Sequence, residues 1–327
     1  MTTTPSELPP LEVTHATHPN ANRTVYVVYN PTAGSGLGQK RVALDTIRDR
    51  FLAAGWNVAT IRTRCAGDGT AAARLALDSG ADVVAAMGGD GTINEVIQAL
   101  ANQPVPLGII PVGTINVLAQ ELGLPSDPLA AVEAIATGAP QSIDLGKAND
   151  RYFTMMVGLG YDGVVLHNLS RELKQWSGPL AYWLTGFKTY TSYRSVRARV
   201  SWHDGKKARR LRCLIYVMIV GNTGLYAGGV LKFTPLASVR DGLFDVCIVR
   251  SKRWYQAIYH LLLALAGRLK RMPDVSQFQC TEITIRTARP LPYQIDGDPG
   301  GTTPVTIALS PRALNVMVSA DTVAQGL

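Results

Sequence analysis

"ADVVAAMGGDGTINEVIQALAN", residues 81–102, decides the fold. Residues 81–89 form a nearly continuous apolar run that closes on two glycines. A strand apolar on both faces belongs inside a parallel sheet covered by helices. "TINEVIQALAN" then carries apolar residues at helical spacing. The corner between them, Gly88-Gly89-Asp90-Gly91-Thr92, is thus a strand-to-helix turn, and in open α/β sheets ligands bind at that edge.

The pattern repeats on both sides. "TVYVVYN" (24–30) is an apolar strand ending in the glycine-rich "PTAGSGLG", with a helix running through Phe51. "WNVATIRTR" (56–64) is a second strand, followed by the helix "TAAARLALDSG" (70–80). "VPLGIIPVG" (105–113) is a fourth strand, followed by "TINVLAQELGL". Strands alternating with helices predict a parallel α/β layer.

The chemistry of the corner follows from its residue types. Gly88, Gly89 and Gly91 let backbone N–H groups approach a phosphate, and the helix N-terminus adds its positive end. Thr92 and Asn94 add donors, and a carboxylate at Asp90 can reach a magnesium ion accompanying phosphates. "GDGT" also occurs at 67–70, but there it follows Arg62-Thr63-Arg64-Cys65 with one glycine fewer. Asp68 or Thr70 is expected to cap the Ala-rich helix, and Thr63 could still face a nucleotide from its strand end. The "NPTAGSG" and "PVGTINV" corners at neighbouring strand ends suit a polyphosphate. Gly-x-x-x-x-Gly-Lys-Ser/Thr is absent, and the dinucleotide fingerprint fails because the second strand closes on Arg-Thr-Arg instead of an acid.

After about residue 145 the chain changes character. "SIDLGKAN", "RYFTMMVGLG", "SVRARVSW", "LRCLIYVMIVGN", "LFDVCIVR" and "CTEITIRTA" read as short strands, with Asp204-Gly205 as a hairpin turn and helices near 161–191 and 254–270. The fold class is α/β: an N-terminal parallel-sheet α/β domain (23–145) plus a C-terminal, mainly antiparallel β-sandwich domain (146–305). Residues 1–22 read as a disordered leader, and 306–327 as a segment able to return to the first domain.

Charge separates the halves. Residues 1–150 hold 9 Lys/Arg against 14 Asp/Glu, while residues 151–290 hold 22 against 7 within a chain of net charge +8. The basic runs "GKKARRLR" (205–212), "RSKR" (250–253) and "RLKR" (268–271) form either a solvated face or a surface for an anionic membrane. No apolar run is long enough to span a bilayer, and the N-terminus lacks the plan of a secretory signal. Four separated cysteines and five scattered histidines argue for reduced thiols and against a zinc site.

Together "NPTAGSG", "GGDGTINEV", "LGIIPVGTINVLAQELGLP", "GLGYDG", "YAGG", "PLASVRDGLFDV" and "QIDGDP" resemble the bacterial soluble diacylglycerol kinase-like lipid kinases, relatives of the sphingosine kinases. The resemblance implies an ATP-dependent kinase of a lipid hydroxyl, with ATP as co-substrate in a cleft between the two domains and Mg2+ beside it. It places the nucleotide against Asn30, Thr63, Gly88, Gly89, Asp90, Gly91, Thr92, Ile93, Asn94 and Thr114. It places the general base at Asp298, where the family's Asp-Gly-Glu becomes Asp-Gly-Asp, with Asp296 able to share the role. A structural magnesium would take the carboxylate of Asp241 and the carbonyls of Ser238 and Leu243. Ile115 stands where the family has a small residue.

The partners implied are a lipid substrate and transient contact with an anionic membrane surface. Nucleic acid is not expected, and a homodimer stays open. The implied location is cytoplasmic, peripheral to the membrane. The aromatic segments 180–190 and 254–267 could wall an acyl-chain channel or be ordinary core. Two other readings remain: a NAD kinase-like kinase of a soluble substrate, and a non-catalytic nucleotide-binding protein.

Overall fold

A computed structural model describes residues 10–33, 43–168, 193–224, 233–250, 263 and 272–319. The chain forms two units. One comprises residues 1–142 and 313–327, the other Ile143–Arg312. The tail expected as one segment is therefore divided, with 306–312 belonging to the second unit.

In the first unit the strands are β1 (Val13–Ala16), β2 (Thr24–Tyr29), β3 (Asn57–Arg62), β4 (Val83–Gly88) and β5 (Leu107–Pro111). The helices are α1 (Leu44–Ala53), α2 (Asp68–Asp78), α3 (Asp90–Leu100), α4 (Val117–Glu121) and α5 (Pro128–Thr137). β3, β2, β4 and β5 are parallel neighbours in that order. All six residues of β4 are buried, as a strand covered on both faces requires. α3 turns Ile93, Val96, Ile97 and Leu100 inward, an i, i+3, i+4, i+7 stripe. Pro128 starts α5, and the Asp127 carboxylate accepts the amide hydrogens of Leu129 and Ala130, a cap contributing about 1 kcal/mol.

β1 places a strand within the stretch 1–22 expected to be a disordered leader, of which residues 10–22 are described. Val13–Ala16 pairs antiparallel with β3, Val13 opposite Ile61 and Ala16 opposite Val58. The open edge of β3 offers unpaired backbone groups, and the His15 ring packs edge-on against Tyr26 at 6.2 Å.

The second unit is an antiparallel sandwich. Its strands are β6 (Ala139–Ala148), β7 (Arg151–Phe153), β8 (Met156–Gly160), β9 (Val196–His203), β10 (Ala208–Ile215), β11 (Val217–Gly221), β12 (Phe244–Val249), β13 (Val275–Cys280), β14 (Glu282–Thr287), β15 (Pro292–Ile295), β16 (Asp298–Thr302) and β17 (Val305–Val318), with α6 at Tyr161–Asn168. One sheet runs β13-β12-β11-β8-β15-β16, and in the other β14 lies between β17 and β9, with β10 outermost. Val157, Met218, Val246 and Ile295 from the first sheet meet Val200, Ile283 and Ile307 from the second in one core. Phe153 and Phe244 stack within it at 5.7 Å. The Asp204-Gly205 hairpin forms, with Asp204 accepting from the Lys206 and Lys207 amides.

β17 serves both units. Val305–Ala308 pairs with β14, whereas Val316 lies beside Leu107 of β5 in parallel. Cys247 and Cys280 are buried, which pushes their thiols up to about 11 and about 12, as for structural thiols. The segment 180–190, all of 254–267 except residue 263, "YAGG", all of "RLKR" and residues 251–253 of "RSKR" lie outside the described residues. Among those described, no helix is long and apolar enough to cross a membrane.

Candidate active site

The parallel register brings four strand ends to one edge. Tyr29 lies beside both Arg62 and Met87, and Gly88 beside Pro111. The chain leaves β2 for β3 on one side and returns to β4 on the other. The gap between β2 and β4 is therefore the topological switch point, where ligands of such sheets bind. Asn30 and the 88–92 corner flank it.

The two glycine corners are built against each other. A Cβ on Gly113 would come within 2.5 Å of the Gly89 Cα, and one on Gly88 within 2.5 Å of the Thr92 hydroxyl oxygen. These glycines are demanded by packing. A Cβ on Gly91 meets nothing within 4 Å, so there the missing side chain leaves open backbone. Asp90 ties the corners together, its Oδ1 accepting the Val117 amide hydrogen at 2.8 Å at the start of α4. Burial pushes the Asp90 carboxyl up, opposed by amides of the 116–118 turn. Asn116 is left-handed, donates to the Gly113 carbonyl, and keeps a buried Oδ1 with no partner among the described residues.

The remaining nucleotide candidates divide by burial. The Asn30 side chain accepts from the amide and hydroxyl of Thr32 and so shapes the turn after β2. Thr63 donates its hydroxyl to the Tyr29 carbonyl. Thr92 and Asn94 are buried at the helix start, and Ile93 points into the core, so only its backbone faces the corner. Thr114 and the half-exposed Ile115 stand at the second corner.

The first GDGT copy has a different purpose, one that modifies the expected cap. Asp68 reaches backwards, accepting the Arg64 and Cys65 amide hydrogens at 2.8 and 3.3 Å. The opening amides of α2 are capped by Glu95 of α3, whose carboxylate accepts from Gly67 at 2.9 Å and Gly69 at 2.8 Å. Thr70 donates to the Glu95 carbonyl. Glu95 belongs to the second copy, so one motif docks on the other. Glu95→Ala should lower the free energy of unfolding by about 1–2 kcal/mol in a urea titration, as lost caps do; an unchanged midpoint would contradict this role.

In the second unit, Asp296 and Gly297 both have positive φ, +48° and +82°, between β15 and β16. A two-residue Asp-Gly loop of that conformation is the favoured hairpin turn. The Asp296 carboxylate accepts from the amides of Thr154, Met155 and Met156 at 2.8, 3.0 and 2.8 Å and from the Thr154 hydroxyl. Burial pushes it up to about 6 against those bonds. Gln294, also buried, donates to Asp162 at 2.9 Å and accepts from the Gly297 amide at 2.7 Å, fixing the turn from its other side. Asp298 opens β16, part-exposed, and accepts from the Arg151 guanidinium at 2.8 Å.

In the 238–243 loop the Asp241 Oδ1 accepts from the Leu243 amide, while Asp144 accepts from the Gly242 and Arg312 amides and donates its own N–H to the Val239 carbonyl. The Asp241 carboxyl is pushed up by burial and then by the charge of Asp144. The Asp241 carboxylate, the loop's backbone carbonyls and Asp144 of β6, bonded to the same loop, make an oxygen-rich donor set, the kind a hard cation prefers. Among the described residues no group of three His, Cys, Asp or Glu could hold a metal.

Glu95, Gln294, Arg151 and Asp144 were not among the sequence candidates. Their long-range partners lie 25 to 168 residues away, beyond any local pattern.

The diacylglycerol kinase catalytic domain matches residues 24–148, and the YegS C-terminal NAD kinase beta sandwich-like domain matches residues 155–318. A diacylglycerol kinase of Bacillus subtilis (strain 168) is 33% identical over 282 residues, covering 85% of this chain and 90% of the relative. One from Staphylococcus epidermidis is 31% identical over 297 residues, covering 90% and 92%. The crystal structure of a protein assigned as a diacylglycerol kinase from Bacillus anthracis str. Sterne superposes with a TM-score of 0.74 at 25% identity, covering 92% of this chain and 96% of that one.

Proposed function

The chain belongs to the diacylglycerol kinase family, and from that premise we propose that it transfers the γ-phosphoryl group of ATP to the hydroxyl of a lipid such as diacylglycerol. The single observation that carries the nucleotide half is the pair of abutting glycine corners at the switch point, clamped by Asp90. The names of the relatives support the lipid half.

Phosphoryl transfer asks a protein for positioning and charge stabilisation. The open backbone at Gly91 and the start of α3 would hold phosphate oxygens. The orphaned Asn116 Oδ1 offers an acceptor to a metal-bound water. Mg2+ travelling with ATP would offset the charge that develops on the transferred group. Asp298 would orient the acceptor hydroxyl and take its proton as the oxygen bonds to the γ-phosphorus and ADP leaves. Asp296, Gln294 and Asp162 set the turn that presents Asp298. Asp241, with the Ser238 and Leu243 carbonyls, would hold a second, structural Mg2+. The protein would work in the cytoplasm, visiting the membrane that holds its substrate.

The test is a panel of lipids in mixed micelles, with NAD as the soluble competitor substrate, each offered with labelled ATP and Mg2+. Label in the lipid phase alone is the expected result. Label on NAD would replace this reading, and label on neither would leave a nucleotide-binding protein.

A further inference from the structure

One face of the second unit carries a charge arrangement that phosphoryl transfer does not use. Strand register sets it. Arg212 of β10 lies opposite Arg199 of β9, which lies opposite Arg286 of β14. Two residues along β9, Ser201 lies between Arg210 and Thr284. The intervening Ala198 and Val200 are buried in the sandwich, while all four arginines are exposed on the outer face. These arginines, Ser201 and Thr284 line a cavity of about 180 Å³.

Like charges directly opposite each other weaken a sheet, so a row of three guanidiniums brings the fold no gain. Among the described residues none of the four arginines forms an ion pair. The carboxylates of β9, β14 and the β9–β10 hairpin, Asp204 and Glu282, lie at the hairpin end, and Asp204 is engaged by Arg209. Guanidinium forks match phosphate oxygens two at a time. The row spans about 10 Å across three strands, wider than one small anion. Among the described residues no aromatic ring lines it, so they give nucleic-acid bases no stacking platform.

We propose that this face docks the protein on an anionic lipid bilayer, with phosphodiester headgroups seated among the four arginines and the Ser201 and Thr284 hydroxyls. The proposal deepens the lipid-kinase reading and rests on it for its purpose, but binding is measured without turnover, so the two can fail separately.

The experiment is sedimentation with phosphatidylcholine–phosphatidylglycerol vesicles and with phosphatidylcholine alone. The parent should bind the anionic vesicles and lose them steeply with salt. Each arginine at an anionic leaflet strengthens partition roughly five-fold, so Arg199→Gln/Arg212→Gln should weaken binding about twenty-fold or more. That variant should melt no lower than the parent, because it removes a repulsive row. Arg50→Gln/Arg74→Gln, an equal charge change on exposed residues of the first unit, should bind almost as the parent does. Equal loss in both variants would reduce the effect to net charge and overturn the proposal. So would parent-like binding by the β-face variant, a melting point several degrees lower for it, or displacement by inorganic phosphate at matched ionic strength. Preference for a single-stranded RNA over the vesicles would overturn it too.

Discussion

Asp298→Asn should phosphorylate lipid about 10²–10⁴-fold more slowly than the parent, the usual contribution of a general base. Asparagine keeps the size of the side chain and can still accept from Arg151, but it cannot take the hydroxyl proton. Nucleotide affinity should hardly change, since Asp298 belongs to the second unit and the glycine corners to the first. Asp298→Glu, which lengthens the arm by one methylene, should keep substantial turnover. Asp296→Asn should behave differently. Its amide N–H2 would face backbone donors where a carboxylate now accepts four hydrogen bonds, so the loss should be in stability, about 2–3 kcal/mol. Purified variants at saturating ATP, with nucleotide binding and unfolding measured separately, distinguish the two. Parent-like turnover in Asp298→Asn together with a well-folded, inactive Asp296→Asn would move the base by two residues.

Asp90→Ala should lower turnover by about 10²–10³-fold, the scale set by losing one preorganised electrostatic group. The rise in KM for ATP should exceed that for lipid. The variant frees the Val117 amide and releases the second corner from the first. Asp90→Asn still presents an oxygen to that amide and should recover part of the loss. Full recovery would show that the charge is dispensable; no recovery would show that the charge, and not the clamp, is what the nucleotide needs. Asp68→Ala, which unties only the turn before α2, should cost stability while leaving most of the turnover. Equal activity losses at Asp90 and Asp68 would sink the distinction between the two GDGT copies.

Much of this fold was written in short-range pattern. The apolar run of β4, the stripe of α3 and the glycine corners each announce themselves within about ten residues, and they place the switch point. The Asp-Gly pair at 296–297 carries the same hairpin signal as Asp204-Gly205, although the resemblance had drawn attention to its carboxylate. The cross-links were not legible. Glu95 caps a helix whose N-cap, Gly67, lies 28 residues upstream of it, and Arg151 meets Asp298 across 147 residues. Such pairs depend on distant elements packing together, which one-dimensional spacing does not encode. β1 was missed because four residues of mixed polarity carry no period; the open edge of β3, not their own propensity, makes them a strand.

The dual allegiance of β17 has a consequence for biosynthesis. The first unit is interrupted after residue 142 and resumes at residue 313, with the whole sandwich intervening. A ribosome therefore releases β2 to β5 some two hundred residues before the strand that covers the β5 edge beside Leu107. Throughout that interval the nascent sheet carries an apolar strand with an open flank, an invitation to mispairing between neighbouring chains on a polysome. The sandwich, by contrast, is complete as soon as residue 312 emerges. The enzyme's halves thus mature in the reverse of the order in which they begin, and the closing stitch of the older half is translated only after the whole sandwich.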